Sequence, residues 1–276
     1  MMPTQLEKAK TFQALHAQDG AFIIPNPWDI ASARLLEHFE FQALATTSAG
    51  YAFALGQRDN AIGRAETMLY HKTLADATRL PISADLGNCF GDEPERVAET
   101  IRLAAETGIV GCSVEDATNQ PAKPIYDFAL AVERVRAAVA AARALPFPFT
   151  LTARAENYFV GRADLDDTIR RLQAFRQVGA DVVFPHGMKS RDDIAAVTRA
   201  VDCPVNILAS KGMPFSLAEY AQLGVKRVSV GPALFMAAQS AVYRAGREMR
   251  AQGGFTFANE TENYSDLIHA IVAAKT

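Results

Sequence analysis

Three short runs in this chain, Pro81-Ile-Ser-Ala-Asp85, Gly111-Cys-Ser-Val-Glu115 and Thr150-Leu-Thr-Ala-Arg154, carry apolar or small residues on both faces and stop at a charged tip. A half-solvated strand alternates apolar and polar residues instead. A strand without that alternation belongs to a parallel sheet covered by helices. In α/β folds the carboxyl ends of such strands are where ligands bind. Two carboxylates and a guanidinium at three such tips point to a divalent cation holding an anionic substrate.

The runs belong to a longer repeat. Four segments leave a helix through a turn and enter a strand: Phe39 to Thr46, Gly108 to Glu115, Gly179 to Pro185 and Gly224 to Gly231. Three of them open with glycine, as a left-handed helix cap requires. Three further strands are entered through Pro81, Pro148 and Pro204, and proline is tolerated where the ladder has not begun. With Ala21 to Pro25 the count is eight. Between them, 29–38, 93–107, 127–144, 164–178, 190–200, 216–223 and 232–250 read as helices, several opened by a capping Asp or Ser. Residues 1–20 are polar and helix-like. The alternation predicts an α/β protein, a (β/α)8 TIM barrel. A two-domain dinucleotide fold is disfavoured because no G-x-G-x-x-G follows the first strand. The barrel is expected over 1–252. Gly253-Gly254 sets off an extension, 253–276, with a short amphipathic helix over 264–274. Its apolar face (Leu267, Ile268, Ile271, Val272) needs a partner, on its own barrel or on a neighbouring subunit.

Composition narrows the partners. A net charge of −3 with scattered Lys and Arg leaves no basic stripe, so no nucleic acid is expected. Three cysteines without paired spacing favour neither a disulfide framework nor a zinc site. No run approaches the roughly 18 apolar residues of a membrane span, and no apolar leader opens the chain. The expected setting is the cytoplasm, with no membrane partner.

The chemistry should therefore lie at the strand tips. The first strand ends in Asn26-Pro27-Trp28-Asp29 and the second in Thr47-Ser48-Ala49-Gly50-Tyr51, followed by a loop to Asp59 and Asn60. The third delivers Asp85, the fourth Glu115 and Asp116, the fifth Arg154, Glu156 and Asn157, and the sixth His186. Asp85 and Glu115 have the character of a Mg²⁺ site, since magnesium takes one or two carboxylates and fills its shell with water. Asp116 and Asp59 either orient a metal-bound water or sit in solvated loops. Arg154 lies among apolar residues and needs an anion: Glu115, Glu156 or a substrate carboxylate. Ser48-Ala49-Gly50 offers backbone N–H groups to an anion, and His186 can donate to a ligand oxygen. Cys89 has nothing to activate it. A rival phosphate site would use Lys211 and the Ser229-to-Ala233 turn, though that turn is poor in glycine.

Phe41 to Gly50, Leu55-Gly-Gln-Arg-Asp59, Ser83-Ala-Asp85, Val114-Glu115-Asp116 and Thr152-Ala-Arg154-Ala-Glu156 resemble, in that order, the isocitrate lyase and phosphoenolpyruvate mutase superfamily. The resemblance runs from about Pro25 to the eighth strand. It implies a (β/α)8 barrel that assembles as a homo-oligomer, a dimer of dimers, with the last helix exchanged between paired subunits. It also implies Mg²⁺, with Mn²⁺ as a substitute, and a small 2-oxo or 2-hydroxy acid, a dicarboxylate, reacting through a metal-stabilised enolate. By position, Asp85 and Glu115 match the metal residues, and Ser48, Ala49 and Gly50 the carboxylate-binding turn. Arg154 matches the substrate-facing arginine, Asp59 the aspartate of the second-strand loop, and His186 a histidine of the mutase branch. With Trp28 at the first tip, these make up the expected substrate site; Asp59, Glu115 and Arg154 make up the expected catalytic set.

Two departures shape the functional expectation. The superfamily's Asp-Ala-Asp reads Ser83-Ala84-Asp85, so one carboxylate is missing. The lyases' Lys-Lys-Cys-Gly-His lid is replaced by Asp116-Ala-Thr-Asn119-Gln-Pro-Ala-Lys123, without cysteine. Cleavage of isocitrate-type substrates is therefore not expected. The resemblance instead implies a carbon–carbon lyase, an oxaloacetate-like decarboxylase or hydrolase. A phosphonopyruvate-type P–C enzyme and a non-catalytic 2-oxo acid binder are the alternatives.

Overall fold

The strands are short because each spans only the wall of a closed barrel. The computed structural model describes residues 2–272. Its strands are β1 (Phe22–Ile24), β2 (Leu44–Ala45), β3 (Ile82–Asp85), β4 (Gly111–Glu115), β5 (Thr150–Ala155), β6 (Val182–Pro185), β7 (Asn206–Leu208) and β8 (Arg227–Ser229). All pairings are parallel, in the orders β2-β3-β4-β5-β6 and β1-β8-β7. Two seams join these sheets. Val183 bridges Val205 in parallel, and the Ala45 N–H donates to the Pro25 carbonyl at 3.0 Å. The expected (β/α)8 barrel is the fold of this chain.

Side chains alternate across each strand. Ala84, Cys112, Val114, Leu151, Ala153 and Val183 pack outward against the helices and are almost wholly buried. Full burial of a Val or Leu stabilises the fold by about 1.5–3 kcal/mol. The alternate positions, among them Asp85, Ser113, Glu115 and Arg154, point into the barrel. The parallel register sets Glu115 beside Arg154 and Asp85 beside Ser113.

Eleven helices occupy the described residues: α1 (Gln5–Ala17), α2 (Ile30–His38), α3 (Ser48–Ala54), α4 (Arg64–Ala77), α5 (Pro94–Ala105), α6 (Phe128–Arg143), α7 (Leu165–Gln177), α8 (Arg191–Ala200), α9 (Leu217–Gln222), α10 (Ala233–Gln252) and α11 (Tyr264–Val272). Asp29, Asp164, Ser190 and Ser216 cap α2, α7, α8 and α9 through the N–H three residues on. Gly253 ends α10 at φ 64°, where glycine is free of steric cost. Two helices depart from the sequence reading. Ser48 to Gly50 is not an open turn but the first turn of α3, capped by Thr47. Helix α4 escapes a hydrophobic count because its buried face includes Thr67, Tyr70 and His71.

Helix α1 plugs the amino-terminal end of the barrel. Phe12 and Leu15 pack with Phe22, Ile24 and Val110 in an apolar cluster of their own. Gln5 donates to the carbonyls of Ala105 and Ile109, and Lys8 to those of Ala75 and Thr78. The carboxyl end stays open. In the extension, α11 lies against α2 of the same chain, and Arg34 donates to the Ile271 carbonyl at 3.4 Å. Residues 273 and 274 of the expected last helix lie outside the described residues. Helix α10 buries only Phe235 and leaves Val242, Tyr243 and Met249 exposed. No helix among the described residues is long and apolar enough to cross a membrane.

Candidate active site

The open end of the barrel holds a cavity of about 410 Å³. Its upper tier is an ion cluster. Arg154 is 8 % exposed and reaches three carboxylates: Nη1 to Asp85 Oδ1 at 3.0 Å, Nη2 to Glu115 Oε2 at 3.0 Å and Nε to Glu156 Oε1 at 2.8 Å. The register sets Glu115 beside Arg154, while Asp85 stands level with Ser113, one inward-facing position lower, and is met by the length of the arginine side chain. His186 Nδ1 lies 2.7 Å from Glu156 Oε2 and 2.9 Å from Arg154 Nη2. The shorter contact, to the carboxylate, places the Nδ1 proton toward Glu156. Phe159 stacks on the imidazole at 4.3 Å between centroids.

The second-strand elements complete the rim. Ser48 donates through its backbone N–H (3.2 Å) and its hydroxyl (2.8 Å) to Asp85 Oδ2. The same hydroxyl lies 3.2 Å from Asp59 Oδ1, so its one proton serves two carboxylates in competition. Gly50 spends its N–H on the Thr47 side chain at 3.1 Å. Of the three N–H groups expected to face an anion, only that of Ala49 has no partner among the described residues.

Charge in the cluster is unbalanced. Burial pushes the Glu115 carboxyl well above the ordinary carboxylate range; Arg154 opposes this, and Glu156, Asp85 and Asp59 add to it. Burial and then the Asp85 charge likewise raise Asp59. At Asp85 burial also pushes upward, but Arg154 and the two Ser48 hydrogen bonds outweigh it and hold the carboxyl low. Glu156 is held low against burial by Arg154 and His186. Burial works against the Arg154 charge, and its three carboxylates more than restore it. Four carboxylates thus share one guanidinium, a donor set of hard oxygens with negative charge to spare. A cation that takes one or two carboxylates and otherwise water and substrate fits it, as Mg²⁺ does. The described residues contain no group of three His, Cys, Asp or Glu arranged around a metal, which a zinc-type site would need.

Other expected residues lie elsewhere. Trp28 does not line the cavity; it packs edge-on against Phe235, with centroids 5.6 Å apart. Asp116 neither faces the cavity nor sits in solvent. It is buried, accepts from the Glu156 N–H at 2.8 Å and pairs with Arg171 at 2.9 Å, and burial raises its pKa to about 6. The rival phosphate turn is occupied from within the chain. Asn26 Oδ1 accepts from both Val230 and Gly231 N–H groups, at 2.8 and 2.9 Å. Cys89 is fully buried, and burial pushes its thiol up to about 12, as suits an inert core residue.

Several residues of the site carry no sequence signal. Asp116 to Pro124 folds as a small hairpin, with Ala117 bridging Ile125, and brings Asn119, Gln120, Pro121 and Pro124 over the cavity. Asn60 donates to Asn119 Oδ1 at 3.3 Å and ties this hairpin to the second-strand loop. Lys123 instead pairs with Asp127, away from the cavity. Arg171 grips Asp116 and Asp167 together, and so fixes the backbone from which Glu156 projects. The only hint in the sequence is an arginine on the inner face of a predicted helix.

Comparison with known proteins finds relatives along most of the chain. Residues 12–250 match the family model described as phosphoenolpyruvate phosphomutase. The chain is 57 % identical to a proposed lyase/mutase of Burkholderia cenocepacia J2315, whose crystal structure superposes with a TM-score of 0.95 over 97 % of this chain and 96 % of the other. It is 32 % identical over 241 residues to an uncharacterized protein of Mycobacterium tuberculosis, covering 86 % of this chain and 88 % of that one. It is 28 % identical over 234 residues to an oxaloacetate decarboxylase of Bradyrhizobium, covering 81 % and 78 %.

Proposed function

The chain belongs to the phosphoenolpyruvate phosphomutase family, among the lyases of the isocitrate lyase/PEP mutase superfamily, and from that premise we propose that it is a Mg²⁺-dependent enzyme cleaving a C–C bond at C3 of a small, oxaloacetate-like 2-oxo acid. The observation that carries this reading is the meeting of Asp85, Glu115 and Arg154 at the cavity mouth, with carboxylates in excess. In this reading Asp85 and Glu115 hold the cation, and Mn²⁺ can replace Mg²⁺. When bound, the ion supplies a Lewis acid that stabilises charge building on the 2-oxo oxygen.

The chain's own residues do the rest. Arg154 keeps its plane through Glu156 and turns toward the substrate carboxylate. The Ala49 N–H, at the start of α3, takes a carboxylate oxygen. Asn119, Gln120 and Pro121 cover the cavity and exclude bulk water. Asp59 is the proton carrier: as the C3–C4 bond breaks and carbon dioxide leaves, the bonding pair passes to C3, and the Asp59 carboxyl delivers the proton that C3 needs. Its raised pKa suits that task.

The test is incubation with Mg²⁺ and oxaloacetate, pyruvate or phosphonopyruvate, followed by ¹H and ³¹P NMR. Metal-dependent conversion of oxaloacetate supports the reading. Turnover of phosphonopyruvate alone would move the chemistry to the P–C bond, and saturable shifts without product would make the barrel a binder. A homo-oligomer belongs to the same reading, because exposed Val242 and Tyr243 on α10, with Tyr264 on α11, are surface of the kind that subunit contacts cover.

A further inference from the structure

Beneath the ion cluster the barrel holds a second cation with no counter-ion. Arg227 projects from β8 into the floor of the cavity and is 4 % exposed. No carboxylate pairs with it among the described residues. Its hydrogen bonds go to neutral groups: Nε to Asn206 Oδ1 at 2.8 Å, Nη2 to Thr152 Oγ1 at 2.9 Å and Nη1 to His16 Nε2 at 3.3 Å. His16 brings no compensating charge. Its Nδ1 donates to the Phe12 carbonyl at 2.8 Å, which leaves Nε2 as a lone-pair acceptor. Burial, then the Arg227 charge, push its pKa down to about 3. Burial lowers the Arg227 pKa to about 9, and no anion opposes it; the group stays charged at neutral pH. Three hydrogen bonds leave two of the guanidinium's five N–H groups for a ligand.

The surroundings favour an anion. Ser83 and Ser229 line the same cavity and bring no negative charge; Ser113, level with Asp85, donates to that carboxylate at 3.4 Å. Ser83 stands where the superfamily pattern has an aspartate, so the residue that could have neutralised this floor is a hydroxyl. Thr152, which Arg227 touches, precedes Arg154 by two residues on β5. Arg227 therefore meets β5 one inward-facing position below Arg154, and both guanidinium groups line the one cavity.

We propose that the floor around Arg227 is an anion subsite for the second carboxylate of a dicarboxylic 2-oxo acid, whose first carboxylate sits at the upper tier. The proposal rests on the 2-oxo acid reading of the upper tier. A free halide shares the chemistry of a small anion on a buried guanidinium, and the experiment separates the two sources.

Malate and lactate differ in the second carboxylate and do not undergo the proposed cleavage. Their dissociation constants are measured by calorimetry in chloride-free buffer with Mg²⁺, for the wild type, Arg227→Lys, Arg227→Gln and Ser229→Asp. Malate is expected to bind the wild type and Arg227→Lys about tenfold or more tighter than lactate. In Arg227→Gln the ratio falls to about one, with lactate unchanged. Ser229→Asp places a carboxylate on the floor and abolishes the preference in the same way, which keeps the test decisive if Arg227→Gln does not fold. An unchanged malate-to-lactate ratio in these variants overturns the subsite. Thermal stabilisation by chloride that depends on Arg227, with a wild-type ratio near one, overturns the carboxylate assignment and gives the floor to a free halide. Binding of neither acid, with chloride stabilisation still dependent on Arg227, sinks the 2-oxo acid reading instead.

Discussion

Arg154 Nη1 lies 3.0 Å from Asp85 Oδ1, so the residue expected to face the substrate and the residue expected to hold the metal are partners in one ion cluster. Asp85→Ala is expected to lower Mg²⁺-dependent turnover of 2-oxo acids by about 10³-fold or more; near-normal activity would remove Asp85 from the chemistry. Arg154→Ala should do two things at once. It weakens 2-oxo acid binding, and it strands Glu115 and Glu156, at a cost of about 3–5 kcal/mol in a denaturant melt. Lost stability with unchanged affinity would confine Arg154 to a structural role.

Arg171→Met should destabilise the protein by a similar amount, about 3–5 kcal/mol, because it leaves Asp116 buried without its cation. A second effect follows from Asp116 Oδ1 holding the Glu156 backbone. In Arg171→Met the kcat should fall more than the KM rises, and Arg171→Lys should recover only part of it. Normal kcat in a folded Arg171→Met protein would uncouple this pair from the site.

Asp167 sets a stability term that depends on pH. Burial pushes it up, but hydrogen bonds from Arg171, Arg170 and Asn157 outweigh burial and hold its pKa at about 2, below the ordinary 3.8. The unfolded chain therefore takes up the proton first on acidification. The stabilisation is complete above about pH 4 and is lost as pH falls toward 2. Asp167→Asn should cost about 1 kcal/mol at pH 7, after allowing for partial solvent screening, and almost nothing at pH 2. Equal losses in melts at both pH values would refute the assignment.

Gly111 opens β4 where no side chain fits: a Cβ would stand 2.7 Å from the Thr150 carbonyl oxygen and 3.0 Å from the Phe12 ring. Gly111→Ala should cost about 3 kcal/mol in a chemical melt, since the obstacle is backbone of the neighbouring strand. A loss under about 1 kcal/mol would mean that β4 and β5 move apart freely.

Val242→Lys combined with Tyr243→Glu is expected to shift the protein toward monomer in light scattering while its helical circular dichroism stays the same. A wild type that is already monomeric at micromolar concentration would end the proposal of a subunit contact on α10.

The strand tips are legible in the sequence because a buried parallel strand leaves almost no freedom to its residues, so an Asp, Glu or Arg within such a run stands out. Asp85, Glu115 and Arg154 converge for that reason. What escaped notice depends on partners distant in sequence. Trp28 looks like a ligand contact until Phe235 claims its ring. Gly50 is a local exception: it looks like a free donor until Thr47, three residues back, takes its N–H. Arg227 sits in an unremarkable Lys-Arg pair, and only the barrel's closure brings His16, Thr152 and Asn206 around it. Helix α4 was hidden because Thr, Tyr and His make up much of its inner stripe.

The barrel's last seam has a consequence for how its cavity comes into being. β1 lies beside β8, with Phe22 opposite Arg227, and Asn26 fastens β1 to both the turn after β8 and the carbonyl of Thr46. Contacts so far apart in sequence form late, because a long loop must close before they are rewarded. A nascent or partly unfolded chain therefore has no weaker version of the binding chamber; the chamber arrives whole, with the final strand. Any small acid it captures should then act as a latch on the completed ring, favouring the closed molecule over every intermediate in which that strand is still loose.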